Sequence, residues 1–159
     1  MKVHEGSLAA LTGRRFAVAV SRFNGIVTSK LVEGATSALR RHGVPEEDVE
    51  MAWAPGAFEL PLVAQRLAAS RQFDAVICLG AVIRGETAHF ELVAEECARG
   101  IQRVTLETGV PCIFGVLATD TLEQAMDRAG GKHGNKGWEA ATAAIEMASL
   151  LDELPKQEG

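Results

Sequence analysis

Two hydrophobic patterns alternate along the chain. Residues 16–20 (FAVAV) form a short apolar run with polar flanks, which predicts a strand buried on both faces. From Val27, the apolar and small residues Leu31, Ala35, Ala38 and Leu39 recur at helical spacing until His42-Gly43, with Pro45 just beyond, so a helix follows. Val49, Met51 and Trp53 alternate with polar or small residues, as in a strand with one less buried face. Leu60, Val63, Ala64 and Leu67 then predict a second helix, with Pro61 tolerated in its first turn. Ala75–Ile83 (AVICLGAVI) is the most continuously apolar strand candidate. Phe90, Val93, Ala94, Cys97, Ile101 and Val104 predict a long helix that breaks at Gly109-Val110-Pro111. Residues 112–117 (CIFGVL) read as a fourth strand, and Leu122, Ala125, Met126 and Ala129 as a short helix ending at Gly130-Gly131. Residues 132–137 (KHGNKG) read as a loop before an alanine-rich helix through Trp138, Ala141, Ile145 and Ala148.

Four strands alternating with helices predict a mostly parallel four-stranded sheet covered on both faces, a doubly wound three-layer sandwich. Ligands bind such sheets beyond the carboxyl ends of the strands. The segments there are RFNG, PGAFE, IRGETAH and ATDT. Within residues 80–90 (GAVIRGETAHF), Gly85-Glu86-Thr87 precedes a helix whose N–H groups and dipole favour an anion such as phosphate. Thr87 there is either part of that site or only an N-cap. His89 lies in the first helical turn on the ligand-facing edge, where a histidine can move protons near neutral pH or simply be a surface side chain. Arg84 is either ligand-facing or the partner in a structural ion pair. Pro55-Gly56 lets the backbone approach a ligand, Phe58 offers a ring and Glu59 an acceptor; a turn with a capping carboxylate is the plainer reading. Phe23 and Asn24 are a stacking plate and an amide, or a hydrophobic staple and an N-cap.

Composition narrows the function classes. At 159 residues, with 47% hydrophobic and 23% charged residues, the chain reads as one globular domain spanning 1–159, with a short arm (1–12) and a polar tail (155–159). A net charge of −5 argues against a nucleic-acid partner, and the basic pairs Arg14-Arg15 and Arg40-Arg41 read as solvated element ends. Cys78, Cys97 and Cys112 show neither disulfide nor zinc-ligand spacing and read as small core residues in a reducing compartment. The first residues lack the apolar run of a signal peptide, and no segment approaches the roughly 20 apolar residues of a membrane span. A cytoplasmic protein with no membrane partner is expected. The stretch GGKHGNKG lacks the phosphate-loop pattern, although Arg128, Lys132 and Lys136 cluster around it. His4, His42 and His133 read as surface residues.

Five motifs in order, RFN at 22–24, PGAFELP at 55–61, GAVIRGETAHF at 80–90, GVLATDT at 115–121 and AGGKHGNKGWEAA at 129–141, closely resemble the lumazine synthase family of riboflavin biosynthesis. The resemblance spans nearly the whole chain and implies a flavodoxin-like fold. It also implies a transferase activity: condensation of 5-amino-6-(D-ribitylamino)uracil with 3,4-dihydroxy-2-butanone 4-phosphate to give 6,7-dimethyl-8-ribityllumazine, phosphate and water, with no metal or other cofactor. By that resemblance Phe23 would stack on the pyrimidine, Asn24, Ala57 and Glu59 would hold the ribityl chain, and Phe58 would line the site. Backbone groups of Val82 and Ile83 would read the pyrimidine edge, Glu86, Thr87 and Arg128 would bind the phosphate, and His89 would shuttle protons.

The family's sites lie between subunits of a homo-oligomeric pentamer, the neighbour supplying residues matching Phe114, Arg128 and Lys136. The arm, 3–10, would add a strand to the next subunit's sheet. Twelve pentamers form an icosahedral capsid, a 60-mer, in some members, and the short 130–137 linker resembles those; riboflavin synthase is a further possible partner. Two other readings remain open from sequence: a non-catalytic flavin- or lumazine-binding shell protein, and a generic phosphate-binding module.

Overall fold

The structure, a computed structural model, describes residues 1–9 and 12–156. The ends of the expected arm and of the expected tail lie outside the described residues. The chain forms β1 (Phe16–Ser21), α1 (Gly25–Arg41), β2 (Val49–Ala54), α2 (Leu60–Ala69), β3 (Ala75–Ile83), α3 (His89–Thr108) and β4 (Cys112–Thr119). It continues with α4 (Leu122–Asp127), a small antiparallel hairpin of β5 (Ala129–Gly131) and β6 (Gly134–Asn135), and α5 (Lys136–Glu153). The main sheet is parallel, in the order β2-β1-β3-β4. Its helices lie on both faces, as the alternating pattern predicts, and the fold is of the flavodoxin-like α/β type.

The period-2 geometry of the central strands divides the core in two. Phe16, Val18 and Val20 of β1, with Ile77 and Leu79 of β3, face α1 and α5. Ala17, Ala19, Val76 and Cys78 face α2 and α3. Every residue of β1 and the first eight of β3 are buried, the physical reason these strands read as unbroken apolar runs. The edge strand β2 is less buried, as expected, but its exposure does not follow its alternation: the apolar Met51 and Trp53 are exposed rather than on a covered face.

Small residues let α1 and α5 approach closely. A Cβ on Gly137 would stand 1.9 Å from the Leu31 carbonyl oxygen. Asn135 pins the same junction: its Oδ1 accepts from the N–H groups of Gly137 (2.8 Å) and Trp138 (3.1 Å), and its Nδ2 donates to Lys30 O at 3.0 Å. This cap starts α5 at Lys136, so the expected 132–137 loop is instead mostly the β5–β6 turn and a helix start. Ala129, expected in the short helix, belongs to β5.

Two surface readings also change. Arg14 is only 7% exposed and donates to Asp152 on the last turns of α5 at 2.7 Å, so it ties the sheet to that helix rather than ending a strand in solvent. His42 is half-buried, with Nδ1 2.7 Å from Ala38 O at the carboxyl end of α1 and its ring tilted against Trp138. A side chain in that position satisfies one of the carbonyls a helix leaves unpaired at its end. Gly109 takes the left-handed conformation (φ 70°) that closes α3.

All three cysteines are free and buried. Burial pushes the Cys97 thiol from its ordinary 9.0 up to about 12 and raises Cys78 and Cys112 as well. The folded state thus holds protons that the unfolded chain releases. This contribution to stability is complete below about pH 9 and is lost as the pH rises toward 12.

Two measurements follow. A thiol reagent at pH 8 should modify none of the three cysteines of the native protein on a timescale of minutes and all three after denaturation; rapid native reaction would contradict their burial. Gly137→Ala must push α1 and α5 apart and should cost at least about 2 kcal/mol, read as a clear fall in melting temperature.

Candidate functional site

The ligand-facing edge is assembled by ladder bonds that continue past the strands. Arg22 N donates to Ala54 O (2.8 Å) and Phe23 N to Pro55 O (3.1 Å), which holds the RFN segment beside the PGAFE segment. Asn24 adopts the left-handed conformation (φ 60°, ψ 44°), tolerated by asparagine more readily than by most side chains, and turns the chain sharply into α1. Its amide does not cap that helix. Nδ2 instead donates to Ala81 O on β3 at 2.8 Å, leaving Oδ1 as a free-standing acceptor at the sheet edge. The sharp turn leaves the Phe23 ring 71% exposed, so it is not a buried staple.

Beyond β3 the chain crosses Gly85-Glu86-Thr87 into α3. No side chain caps this helix. Thr87, a candidate N-cap, sits one residue too early: Oγ1 accepts only from His89 N, at 3.3 Å, within a local turn. Apart from His89 N, the first-turn N–H groups of α3 therefore keep their donor capacity. His89 is exposed in the first turn, and its ring shares a cleft of about 150 Å³ with Phe23, Asn24, Ala57, Val82, Ile83 and Thr87. Seven of the residues expected from sequence thus converge from three post-strand segments. Phe90 and Val93 complete one wall; the sequence reading gave both to the helix core, because their spacing is that of a core stripe.

Phe58 and Glu59 follow Ala57 in a single 3-10 turn (Ala57–Glu59) and are exposed, but neither lines this cleft. Glu59 makes no capping bond to α2, which removes the plainer reading of its carboxylate. Glu86 is exposed on the neighbouring shallow surface with Gly85 and Thr87.

Phe114, Arg128 and Lys136 are not part of this cleft. Phe114 is half-exposed on the edge strand β4, opposite Cys78 in register. Arg128 and Lys136 line a second cleft of about 670 Å³ over the end of β4, together with Arg84, Asp120, Gln124, His133 and Glu139. Arg128 makes a long bond to Gln124 O (3.4 Å) and Lys136 a loose contact with Glu139 (3.8 Å), so both cations keep donors for a ligand. His133, read from sequence as a surface residue, faces this cationic cleft; only the fold of the β5–β6 hairpin brings it there. The two clefts share Phe90 as a wall.

Arg84 is the ion-pair partner of the two sequence alternatives. It bonds Asp120 Oδ1 at 2.7 Å and the Glu91 carboxylate, and its guanidinium lies 4.5 Å from the centre of the Phe90 ring. The hydrogen bonds to Asp120 and Glu91 raise its pKa further, and the Arg84 hydrogen bond holds the Glu91 carboxyl below its ordinary value. Among the described residues no group of three or more His, Cys, Asp or Glu side chains is placed to hold a metal ion, and no helix is long and apolar enough to cross a membrane.

The His89 cleft offers an aromatic plate, an amide acceptor, main-chain groups at the end of β3, an uncapped helix start and one imidazole. This set suits a planar heterocycle next to an anionic group, with proton transfers between them. The profile of the 6,7-dimethyl-8-ribityllumazine synthase family, transferases of riboflavin biosynthesis, matches residues 13–152, and the chain belongs to that family.

Proposed function

We propose that the protein condenses 5-amino-6-(D-ribitylamino)uracil with 3,4-dihydroxy-2-butanone 4-phosphate to 6,7-dimethyl-8-ribityllumazine. The observation that carries the reading is the convergence of Phe23, Asn24, Ala57, Val82, Ile83, Thr87 and His89 on one cleft in a chain that matches this family over residues 13–152. Phe23 stacks on the pyrimidine, and main-chain groups of Val82 and Ile83 read its polar edge. Asn24, Ala57 and Glu59 hold the ribityl chain, with Phe58 alongside. Glu86 and Thr87, through the start of α3, receive the phosphate.

In this reading the pyrimidine's 5-amino group attacks the ketone and water leaves to give a Schiff base. Loss of a proton next to the imine expels inorganic phosphate as the C–O bond breaks. The enol so formed tautomerises, and the ribitylamino nitrogen closes the ring with loss of a second water. Each step needs a proton taken or returned within one site, and His89 at the mouth of the cleft serves them in turn. No covalent nucleophile is required, so most of the acceleration comes from orientation.

A cleft of about 150 Å³ is smaller than the roughly 300 Å³ at which ligand pockets begin, which supports a site completed by a second subunit. The separation of Arg128 and Lys136 from His89 within one chain supports the same arrangement, in which a neighbour's Arg128, Lys136 and Phe114 close the site. By family resemblance the proposed assembly is a homo-pentamer in the cytoplasm, with twelve pentamers forming a 60-mer and riboflavin synthase as a further partner. Residues 1–9 form no strand within their own chain and touch α5 through Ser7 N and Ser149 Oγ (2.9 Å), while β2 is an open edge; an arm paired with a neighbour's sheet fits both facts.

Mixing the protein with the two substrates should release phosphate together with a fluorescent lumazine; tight lumazine binding without phosphate release would make it a binding protein instead. His89→Ala should slow turnover by about 10²-fold or more while leaving the sedimentation coefficient unchanged. Subunit sharing has its own signature. His89→Ala and Arg128→Ala proteins, each weakly active alone, should regain turnover when dissociated and reassembled together, because some mixed interfaces then hold both wild-type residues. No recovery in verified mixed oligomers would place both residues in the same chain's site.

A further inference from the structure

Arg84 stands apart from the cleft it most affects. It lines the cationic cleft rather than the His89 cleft, yet it touches the groups that frame both. Its main-chain N–H donates to Thr119 O at 2.9 Å, continuing the β3–β4 ladder. Its side chain then spans three elements: Nε to Asp120 beyond β4, Nη1 to Glu91 in the first turn of α3, and the guanidinium plane over Phe90. Glu91 and Phe90 immediately follow His89.

The start of α3 has little else to fix it. Ala88, at the N-cap position, provides no capping side chain, and among the described residues Thr87 is bonded only to His89 N and residues 84–88 carry no ladder or helix bonds beyond the Arg84 N–H and the Leu92-to-Ala88 turn. A planar fork with five donors can bind two carboxylates and stack on a ring at once, which an ammonium cannot.

We propose that Arg84 is a positioning residue: by clamping Asp120, Glu91 and Phe90 together it fixes the first turn of α3, and with it the direction of the His89 imidazole and the wall that Phe90 gives the cleft. The proposal rests on the reading of that cleft as the condensation site. Arg84, Glu91 and Asp120 are all solvent-exposed, and exposed ion pairs add little to global stability. Displacement of a reacting group by about 1 Å, in contrast, can cost 10²-fold in rate. The clamp should therefore register in turnover far more than in melting.

Arg84→Met, which keeps length and apolar contact with Phe90, and Arg84→Lys, which keeps charge without the fork, separate the possibilities. Arg84→Met should lower kcat at least tenfold with the KM of either substrate changed less than about threefold, shift the imidazole ¹⁵N resonances of His89 (assigned by their loss in His89→Ala), and leave oligomer size and melting temperature nearly unchanged; Arg84→Lys should recover part of kcat. Full kcat in Arg84→Met would overturn the proposal. So would a rise in the KM of the butanone phosphate alone, which would make Arg84 a direct phosphate contact, or a large fall in melting temperature that Arg84→Lys does not restore. If the wild-type protein fails to turn over the substrate pair, the functional reading fails on its own, and the resonances still decide the clamp: unchanged His89 signals in Arg84→Met would refute it.

Discussion

Parallel strands whose crossover helices leave toward opposite faces open a gap at their carboxyl ends, and in this chain β1 and β3 are that pair. The chain leaves β1 for α1 on one face and reaches α3 from β3 on the other. The hydrogen bond from Asn24 Nδ2 to Ala81 O spans the gap at 2.8 Å and ties the two diverging segments at the level where a ligand would enter. Phe23, Asn24 and the end of β3 line the cleft because they surround this divergence, and His89 does so because α3 begins there. An Asn24 side chain used as an ordinary helix cap would leave β1 and β3 joined only by their main-chain ladder, which stops at Val20 and Leu79.

Much of the scaffold was legible because its causes are local. Nine consecutive apolar residues, 75–83, became a strand with the same limits, since burial on both faces leaves no polar position to blur its ends. Gly109 ended α3 as its sequence context implied. The β5–β6 hairpin escaped notice because GGKHGN has no apolar alternation, and its turns rest on the positive φ of Gly130 and Gly134. The early start of α5 rests on a local cap, Asn135 Oδ1 to Gly137 N and Trp138 N, inside a glycine-rich stretch without apolar periodicity, while the bond from its Nδ2 to Lys30, 105 residues away, ties that start to α1. Arg14 looked like a solvent-facing basic pair because its partner, Asp152, is equally remote in sequence.

The site divides along the same line. The residues that crowd the His89 cleft lie in motifs next to strand ends, so sequence brought them to the right edge of the sheet. Spacing alone did not show that Arg128 and Lys136 stand in a separate cleft, which follows from where the β5–β6 hairpin folds; only the family resemblance set them apart, by assigning them to a neighbouring subunit. Sequence also could not choose between the two roles of Arg84, whereas Asp120 and Glu91 settle the question by flanking it.

The burial of β3 also bears on how the chain reaches this state. Its two ladders join segments far apart in sequence, Phe16 with Ala75 and Val76 with Cys112, so neither closes until long loops are brought together. Until then AVICLGAVI is an uncharged, proline-free stretch rich in β-formers, the composition that pairs readily with copies of itself. The strand that later presents the site is, in the nascent chain, the segment most in need of rapid cover, and β1, already synthesised some 60 residues earlier, is the neighbour first able to provide it.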